Sequence, residues 1–511
     1  MSEPEPVVLD GAHLRIADVV AVARSGARPE LGPHARARVE AARGHVRAAV
    51  ASGRPIYGVN TGFGRLSDRT VPREELLALQ RNLVRSHASG VGPLLPDDLV
   101  RATVLVRANG LARGHSGVRV DVVERLLDLL RKGVVPAVPE KGSVGASGDL
   151  APLAHIALTL IGEGEVVAER GQTRPAAAAL SQAGLSPLVL EEKEGISLLN
   201  GTCLMAAYLT LLVHDGEKLA RAAALAAAVS FDALRGNLGA LDPRLHAARN
   251  LRAQEDAAKV LRSLLEGSSL ARPASDYQGQ DPYVLRCIPQ VFAATWTGLR
   301  WGQEVAEGEI NASSDNPLVF GEEFLSGGNF HGQPVALALD TLALALSYLG
   351  GFSERRTARL VDSDLSRGLP PFLSPSPGLS SGYMIPPYVA ASLVAEDQAL
   401  VHPASAMSLP TSANQEDYNS MGATAGWKAW RLVENVRRIV AIELLVGCEA
   451  LEARRPQLGG RGSEAVLSAV RRRVSPLRED RSPAPDVERL TEAIRNEQLV
   501  HEVEDALRSK A

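Results

Sequence analysis

The sequence predicts a mainly α-helical protein built around a bundle of long helices. Stretches rich in alanine and leucine recur with helical spacing between about residues 193 and 452, and most are longer than an average globular helix. Strand patterns are sparse. Long helices bury broad apolar faces by packing against one another. We therefore expect a long-helix bundle together with a smaller, mixed but mainly helical N-terminal part.

The N-terminal part, residues 1–195, is predicted to start with a short strand and turn at 7–11. Helical spacing then appears at 14–23, 32–52, 73–90, 96–113 and 118–132. Two glycine-rich loops, 57–64 and 139–149, interrupt this pattern, and a polar connector follows at 162–190. The loops are the places in this part where regular structure is not expected.

The central part, residues 196–452, is predicted to hold the bundle, and residues 453–511 are predicted to form a helical extension. The central periodic stretches are 193–235, 243–266, 283–308, 332–363, 384–400 and 413–452, and the extension has two more at 463–473 and 485–508. Such long Ala/Leu helices have more apolar face than one layer can cover. We therefore expect the bundle to mediate contacts in an oligomer.

One segment, residues 196–213, carries no charge and is about as long as a minimal membrane-spanning helix. It contains Asn200, Gly201 and Thr202, and acidic residues lie just before it. Polar groups are costly in a bilayer, so we interpret the segment as a buried central helix and not as a membrane span.

Composition and charge narrow the class of protein. Hydrophobic residues make up 45% and charged residues 22%, which is ordinary for a soluble protein. The formal charge of −4, from 55 basic and 59 acidic residues, predicts no attraction to nucleic acid or to an anionic membrane. The three cysteines are far apart, so neither a disulfide framework nor a zinc knuckle is expected. The acidic amino end lacks a signal-peptide pattern, which favours the cytoplasm.

The most informative stretch is the loop Gly142–Asp149, which is followed by an apolar run. Glycines at 142, 145 and 148, separated only by small residues, allow the backbone to bend back on itself. Asp149 is predicted to be the N-cap of the next helix, with Pro152 in its first turn. A strained loop at the positive end of a helix is a good place for an electrophile.

Several interpretations of this loop are open from the residues alone. A phosphate-binding loop is disfavoured because no Gly-Lys-Ser/Thr follows the glycines. A serine nucleophile at Ser147 or Ser116 is weak because the flanking glycines miss the elbow pattern. A tight turn before a helix is the simplest alternative. In a further interpretation, the Gly148 nitrogen attacks the Ala146 carbonyl to close a five-membered ring, and Ser147 loses water to leave a methylidene group.

The surrounding motifs favour this last interpretation. Residues 142–153 resemble the signature of the aromatic amino-acid ammonia-lyases and aminomutases, and the resemblance covers nearly the whole chain. It implies a methylidene-imidazolone prosthetic group made from Ala146, Ser147 and Gly148, and a homotetramer whose active sites draw residues from more than one subunit. The other matching motifs are Tyr57–Gly64, Leu199–Thr202, Gln280–Tyr283, Asn311–Pro317, Gly328–Gly332 and Asn414–Asp417.

The resemblance also implies roles for single residues. Tyr57 matches the catalytic base, a role that needs a lowered phenol pKa. Arg286 would clamp the substrate carboxylate, because a guanidinium fork fits that group bidentately. Residues expected to line the site beside them are Asn200, Gln280, Tyr283 and, packed beside the prosthetic group, Phe330. In the sequence, Asp281-Pro282 is predicted to open a helix that places Tyr283 and Arg286 on one face.

Two residues bear on the substrate. His87 follows Ser86 in a pattern similar to that of histidine lyases, although tyrosine-specific members also carry histidine there. Glu416 resembles a glutamate of the histidine lyases that tyrosine and phenylalanine enzymes lack, and a carboxylate suits an imidazole that donates a hydrogen bond. Alternatively, Ser412 and Gln415 form a capping box with Glu416 in the first turn of a helix. Tyr418 departs from the histidine usual in these enzymes.

The resemblance thus implies elimination of ammonia from L-histidine to give trans-urocanate. Neither a metal nor a nucleotide cofactor is expected, because no dinucleotide fingerprint or other cofactor signature appears in the sequence. No two histidines have the spacing of a helical zinc motif. Three alternatives remain: a lyase or aminomutase acting on tyrosine or phenylalanine, a serine hydrolase, and a non-catalytic helical scaffold.

Overall fold

The structure is a computed structural model that describes residues 5–62, 68–276 and 279–509. Within these residues the chain forms helices joined by short strands and turns. The helices are α1 (Ile16–Ser25), α2 (Pro33–Ala51), α3 (Leu76–His87), α4 (Asp97–Ala112), α5 (Val120–Arg131), α6 (Leu150–Leu160), α7 (Ala176–Gln182), α8 (Glu194–Leu199), α9 (Cys203–Ala233), α10 (Pro243–Arg249), α11 (Arg252–Leu264), α12 (Tyr283–Arg286), α13 (Ile288–Glu309), α14 (Gln333–Val361), α15 (Pro386–Leu400), α16 (Gly422–Glu452), α17 (Arg461–Arg471), α18 (Ala484–Arg495) and α19 (Gln498–Arg508).

The strands of the described residues are short and pair only two at a time. They are β1 (Val7–Leu9) with β2 (Pro29–Leu31), β3 (Val91–Leu94) with β4 (Pro139–Lys141), β5 (Glu165–Val167) with β6 (Thr173–Pro175), and β7 (Leu318–Phe320) with β8 (Glu323–Leu325). The first pair is parallel and the other three are antiparallel. The prediction of a mainly α-helical fold is confirmed.

Five predicted helical stretches differ from the observed helices. Three of them, 243–266, 283–308 and 485–508, are each divided into two helices, namely α10 and α11, α12 and α13, and α18 and α19. The stretch 193–235 is not one helix, because α8 ends at Leu199 and α9 begins at Cys203. Between them Gly201 adopts a φ of +149°, which a side chain would disfavour. The charge-free run 196–213 is therefore not a continuous helix. The stretch 413–452 starts late, since α16 begins only at Gly422.

The chain divides into two units, each with its own interior. Unit 1 comprises Met1–Leu211, Gly302–Asp340 and Pro403–Trp427. One of its apolar clusters is formed by Val46, Val50, Ile56, Val59, Leu76 and Val319, all buried. The predicted glycine-rich loop 57–64 continues from this cluster, although its last residues, Phe63 and Gly64, lie outside the described residues.

Unit 2 comprises Leu212–Trp301, Thr341–His402 and Lys428–Ala511. Its interior holds an ion pair without solvent access, in which Arg356 Nε donates to Glu443 Oε1 over 2.5 Å. The division of the sequence into an N-terminal part (1–195), a central bundle (196–452) and a C-terminal extension (453–511) stays a prediction.

One helix of the described residues, α14, is long and apolar enough to cross a membrane by length and composition. Of its most apolar window, 61% is buried inside the protein. A buried core helix meets the same criteria, because the interior of a large protein is as apolar as a lipid environment.

Candidate active site

The loop 142–149 is a tight turn between β4 and α6 in unit 1. Gly145 and Gly148 have φ angles of +80° and +81°, and Ser147, at +50°, also lies in the left-handed region. Gly145 and Gly148 pair with each other across the turn. A Cβ added to Gly148 would lie 2.2 Å from the Gly201 carbonyl oxygen, so only glycine fits there. Ala146, Ser147 and Gly148 therefore occupy a strained tip with backbone packed directly against it.

The residues that pack against this tip are Asn200 and Gly201, in the break between α8 and α9. Asn200 Nδ2 donates to the Ser147 carbonyl oxygen over 3.0 Å, and the Gly201 amide donates to the same oxygen over 3.2 Å. The Asp149 amide donates in return to the Gly201 carbonyl over 2.7 Å. Two donors thus converge on one carbonyl of the turn and would stabilise negative charge on it.

Asp149 caps a different helix from the predicted one. It occupies the N-cap position of α6, but its side chain makes no capping hydrogen bond there. Its Oδ2 instead accepts from the amides of Leu204 and Met205 at the start of α9, over 2.9 and 3.1 Å. Burial raises the pKa of this carboxyl to about 7. The aspartate therefore ties the turn to the helix that follows Gly201.

A cavity of about 480 Å³ in unit 1 brings together residues from distant parts of the chain. Five of the predicted site residues line it, namely Tyr57, His87, Ser147, Asn200 and Glu416. Ala146 and Gly148 line a second cavity of about 210 Å³, and His87 borders both. The residues predicted from three separate motifs and from the loop thus meet at one place.

The orientation of His87 follows from its hydrogen bonds at the end of α3. Its Nδ1 lies 2.9 Å from the Leu83 carbonyl oxygen and 3.1 Å from Ser86 Oγ. A carbonyl can only accept, so Nδ1 carries the proton. In the neutral ring Nε2 is then the hydrogen-bond acceptor.

Glu416 lies next to the turn and not in a helix. Ser147 Oγ donates to its Oε1 over 3.1 Å, and Thr411 Oγ1 donates to its Oε2 over 2.9 Å. The alternative of a capping box is wrong, because Ser412 and its two successors have left-handed φ angles of 49°, 52° and 67° and Glu416 pairs with Thr411 across the resulting turn. Both oxygens of the carboxylate are therefore held by hydroxyl groups.

The residues predicted to bind the carboxylate group lie in unit 2. Gln280 and Arg286 line a cavity of about 690 Å³ in that unit. Tyr283 is 66% exposed, and the Arg286 guanidinium lies over its ring at 4.7 Å from the centroid. Arg286 and Tyr283 are thus neighbours on α12, as their spacing predicted.

Asp281 does not cap α12, contrary to the sequence prediction. The N-cap is Pro282, which has no side-chain hydrogen bond to offer. The buried carboxylate of Asp281 accepts instead from Arg272 Nη2 over 2.5 Å, Arg367 Nη2 over 2.7 Å and the Asn237 amide over 2.6 Å. Two charge-assisted hydrogen bonds, one from an arginine 86 residues away, thus hold the carboxylate in place of a helix cap.

Two further residues were singled out by the sequence. Phe330 lies half-buried in the turn before α14, and its role stays a prediction. Ser116 is 1% exposed and donates to Asp315 Oδ1 over 3.1 Å. A hydroxyl closed off in this way cannot act as a surface nucleophile, so that part of the hydrolase alternative fails.

Sequence reasoning missed two residues that hold the site. Thr411 positions Glu416, and Arg107 on α4 donates from Nη1 to the Asn200 carbonyl over 3.0 Å. The sequence signal that could have pointed to Arg107 is its charge inside the apolar stretch 96–113. Within the described ranges, no group of three or more His, Cys, Asp or Glu side chains is placed to hold a metal ion.

Sequence comparison finds close relatives over nearly the full length. The model of the aromatic amino acid lyase family matches residues 14–472. A histidine ammonia-lyase of Symbiobacterium thermophilum is 50% identical over 496 residues, which is 97% of this chain and 97% of the relative. Another from Treponema denticola is 46% identical over 504 residues, covering 98% of this chain and 99% of the relative.

Solved structures agree with the sequence comparison. The tyrosine aminomutase of Streptomyces globisporus superposes with a TM-score of 0.93 at 37% identity, covering 98% of both chains. The histidine ammonia-lyase of Trypanosoma cruzi superposes with a TM-score of 0.91 at 39% identity, covering 98% of this chain and 95% of that one. On the family match and this identity over almost all of its length, the chain belongs to the aromatic amino acid lyase family.

Proposed function

We propose that this protein eliminates ammonia from L-histidine to give trans-urocanate. The observation that carries the proposal is the cavity in unit 1, in which His87 and Glu416 face the same space as Ser147. A protonated imidazole substrate offers two N–H donors, and the two acceptors, His87 Nε2 and the Glu416 carboxylate, are complementary to them. The identity of 46–50% to the histidine ammonia-lyases named above supports the same substrate.

The electrophile that we propose is a methylidene-imidazolone made from Ala146, Ser147 and Gly148. The residues fit this group: the turn is already bent tightly at left-handed φ angles, and Gly148 and Gly201 leave no room for a side chain. When formed, the group supplies an electron-poor double bond that accepts an amine and makes it a better leaving group. The remaining steps depend on ordinary side chains of the cavity.

In this proposal the residues that line the cavity of unit 1 have separate roles. Tyr57 is the general base that removes the β-proton. His87 Nε2 accepts from an imidazole N–H, and the Glu416 carboxylate accepts from, or balances the charge of, the other side of the ring. Asn200 Oδ1 is buried and has no hydrogen-bond partner among the described residues, although its Nδ2 is bonded. It is therefore available as an acceptor for the substrate ammonium group.

We propose that the substrate carboxylate binds to Arg286, with Gln280 and Tyr283 beside it. Because the family resemblance implies active sites shared between subunits, we infer a homotetramer. We propose that it is a soluble protein of the cytoplasm. Light scattering of the purified protein measures the assembly. Mixing subunits that carry Ser147→Ala with subunits that carry Arg286→Ala tests the sharing: recovered activity supports it, and mixtures as inactive as either variant alone contradict it.

The substrate is tested by incubating the purified protein separately with L-histidine, L-tyrosine and L-phenylalanine. The conjugated product is followed by near-ultraviolet absorbance. We expect turnover of L-histidine to exceed that of the other two. Faster turnover of tyrosine or phenylalanine would assign the protein to another branch of the family. Near-wild-type deamination by Ser147→Ala would show that the electrophile is assigned to the wrong residue.

A further inference from the structure

Arg107 is a buried cation whose partners are unusual. It is 2% exposed, and its side chain donates to backbone carbonyls and a thiol of the described residues. Its Nη1 donates to the Asn200 carbonyl over 3.0 Å and lies 3.7 Å from Cys203 Sγ, and its Nη2 donates to the Ser197 carbonyl. Burying a guanidinium is costly, so its contacts must be ones that this part of the fold requires.

These carbonyls belong to the C-terminal end of α8. The last carbonyls of a helix have no partner within the helix, and the negative end of the helix dipole lies there. A cation that donates to the Ser197 and Asn200 carbonyls supplies the missing hydrogen-bond donors and is attracted by the negative end of the dipole. Arg107 therefore stabilises the point at which α8 stops, immediately before Gly201.

The residues at this helix end, Asn200 and Gly201, also support the turn 142–149. Gly201 donates to the Ser147 carbonyl, and its own carbonyl receives the Asp149 amide. A Cβ added to Gly201 would lie 2.6 Å from Arg107 Nη1, so the guanidinium is packed directly against this glycine. Asn200 and Gly201 are thus held between Arg107 and the residues that must react. A displacement of Asn200 and Gly201 would release the turn.

We propose that Arg107 is a positioning residue for formation of the prosthetic ring: it holds Asn200 and Gly201 against the turn so that Gly148 is pressed toward Ala146. This inference rests on the proposed methylidene-imidazolone. Ring closure forms a bond from the Gly148 nitrogen to the Ala146 carbonyl carbon. The carbonyl oxygen leaves as water with the amide hydrogens of Gly148 and Ser147, and the Ser147 hydroxyl leaves as a second water with its α-hydrogen.

The test is the intact mass of the full-length protein, because each closed ring lacks two waters. Arg107→Lys keeps the charge but loses the fork that reaches two carbonyls, and Arg107→Gln removes the charge. We expect both variants to contain mostly chains that have not lost the two waters. The matched control is Arg43→Lys, since Arg43 is also a buried arginine of unit 1, 3% exposed, and donates to the Glu192 carbonyl over 2.7 Å.

Thermal unfolding of each variant, followed by circular dichroism, separates positioning from general stability. The proposal expects Arg43→Lys to be fully cyclised even where its melting temperature falls as far as that of Arg107→Lys. It is overturned if both Arg107 variants are fully cyclised, or if Arg43→Lys loses the ring to the same extent at the same melting temperature. A wild-type protein that retains both waters would instead contradict the prosthetic group itself.

Discussion

At the residue scale, the turn 142–149 depends on backbone that no larger side chain could occupy. Gly148 and Gly201 touch through main-chain atoms, and Ser147 holds a left-handed φ of 50°. Left-handed conformations cost a non-glycine residue about 1–2 kcal/mol. The turn keeps this strain because hydrogen bonds from Asn200 and Gly201 hold the Ser147 carbonyl.

We expect Gly148→Ala to abolish ring formation and deamination, because its methyl group would collide with the Gly201 carbonyl. The measurement is intact mass together with turnover of L-histidine. Gly53→Ala is the matched control, since Gly53 has a similar φ of +69° but open space around it. It should cost about 1 kcal/mol of stability and leave the ring complete. A complete ring in Gly148→Ala would contradict the packing argument.

Glu416→Gln keeps a hydrogen-bonding side chain but removes the charge. Hydrogen bonds to charged groups contribute about 1.5–3 kcal/mol, so kcat/KM for L-histidine should fall by roughly 10- to 100-fold. Steady-state kinetics with L-histidine and L-tyrosine give the comparison, and the loss should be smaller for tyrosine. The control is the exposed neighbour Asp417. The variant Asp417→Asn should leave kcat/KM unchanged for both L-histidine and L-tyrosine. Equal losses for both substrates would argue against a role for Glu416 in specificity.

At the element scale, carboxylates bridge segments that local sequence does not connect. Asp149 follows the turn in sequence but caps α9, more than fifty residues later. Asp397 on α15 similarly accepts from Asn435 Nδ2 on α16 over 2.9 Å. Both carboxyls are buried, and burial raises the pKa of each to about 7. Junctions between elements are therefore sensitive to the protonation of single side chains.

Asp149→Ala should destabilise the protein by about 2–4 kcal/mol, because it removes a helix cap and leaves two amide groups of α9 unpaired. Asp149→Asn retains one acceptor oxygen and should cost less. Urea unfolding followed by circular dichroism measures both variants. A cost for Asp149→Ala no larger than that for Asp149→Asn would show that the cap does not stabilise α9.

Asp397→Asn should change how stability depends on pH. From pH 4 to pH 7, approximately, the folded carboxyl keeps a proton that the unfolded one, with its ordinary pKa of 3.8, has lost, so stability falls as the pH rises through this window. Asparagine cannot ionise. The variant should therefore gain about 1–2 kcal/mol relative to wild type at pH 8 and less at pH 4. Urea unfolding at the two pH values tests this, and an equal difference at both would contradict it.

At the scale of the whole molecule, each unit encloses a buried ion pair in an apolar interior. In unit 1 Lys193 Nζ lies 3.3 Å from Asp315 Oδ2, and in unit 2 Arg356 pairs with Glu443. Both pairs are almost completely buried. Such pairs stabilise a fold only while both partners are present, because a single buried charge has lost its hydration without compensation.

Removing one partner of the Arg356–Glu443 pair should therefore cost more stability than replacing both partners with apolar residues. We expect Glu443→Leu to destabilise the protein by about 3–5 kcal/mol, and the double variant Glu443→Leu with Arg356→Met to recover much of that loss. Ser230 Oγ also donates to Glu443, so recovery should be incomplete. Thermal unfolding of the two variants gives the comparison. A double variant less stable than Glu443→Leu would show that the pair is not the source of the effect.

The amino-acid sequence alone determined the helical fold class, because helical periodicity is a local property. The methylidene-imidazolone of Ala146, Ser147 and Gly148 stays a proposal, because the residues of the loop alone left several interpretations open. The sequence also indicated Tyr57, His87 and Glu416 through their motifs. The tertiary structure decided which groups share a cavity, that Asp149 caps α9, and that Arg107 donates to the Asn200 carbonyl. These relations join residues far apart in the chain, and long-range packing, which local patterns do not encode, determines their contacts.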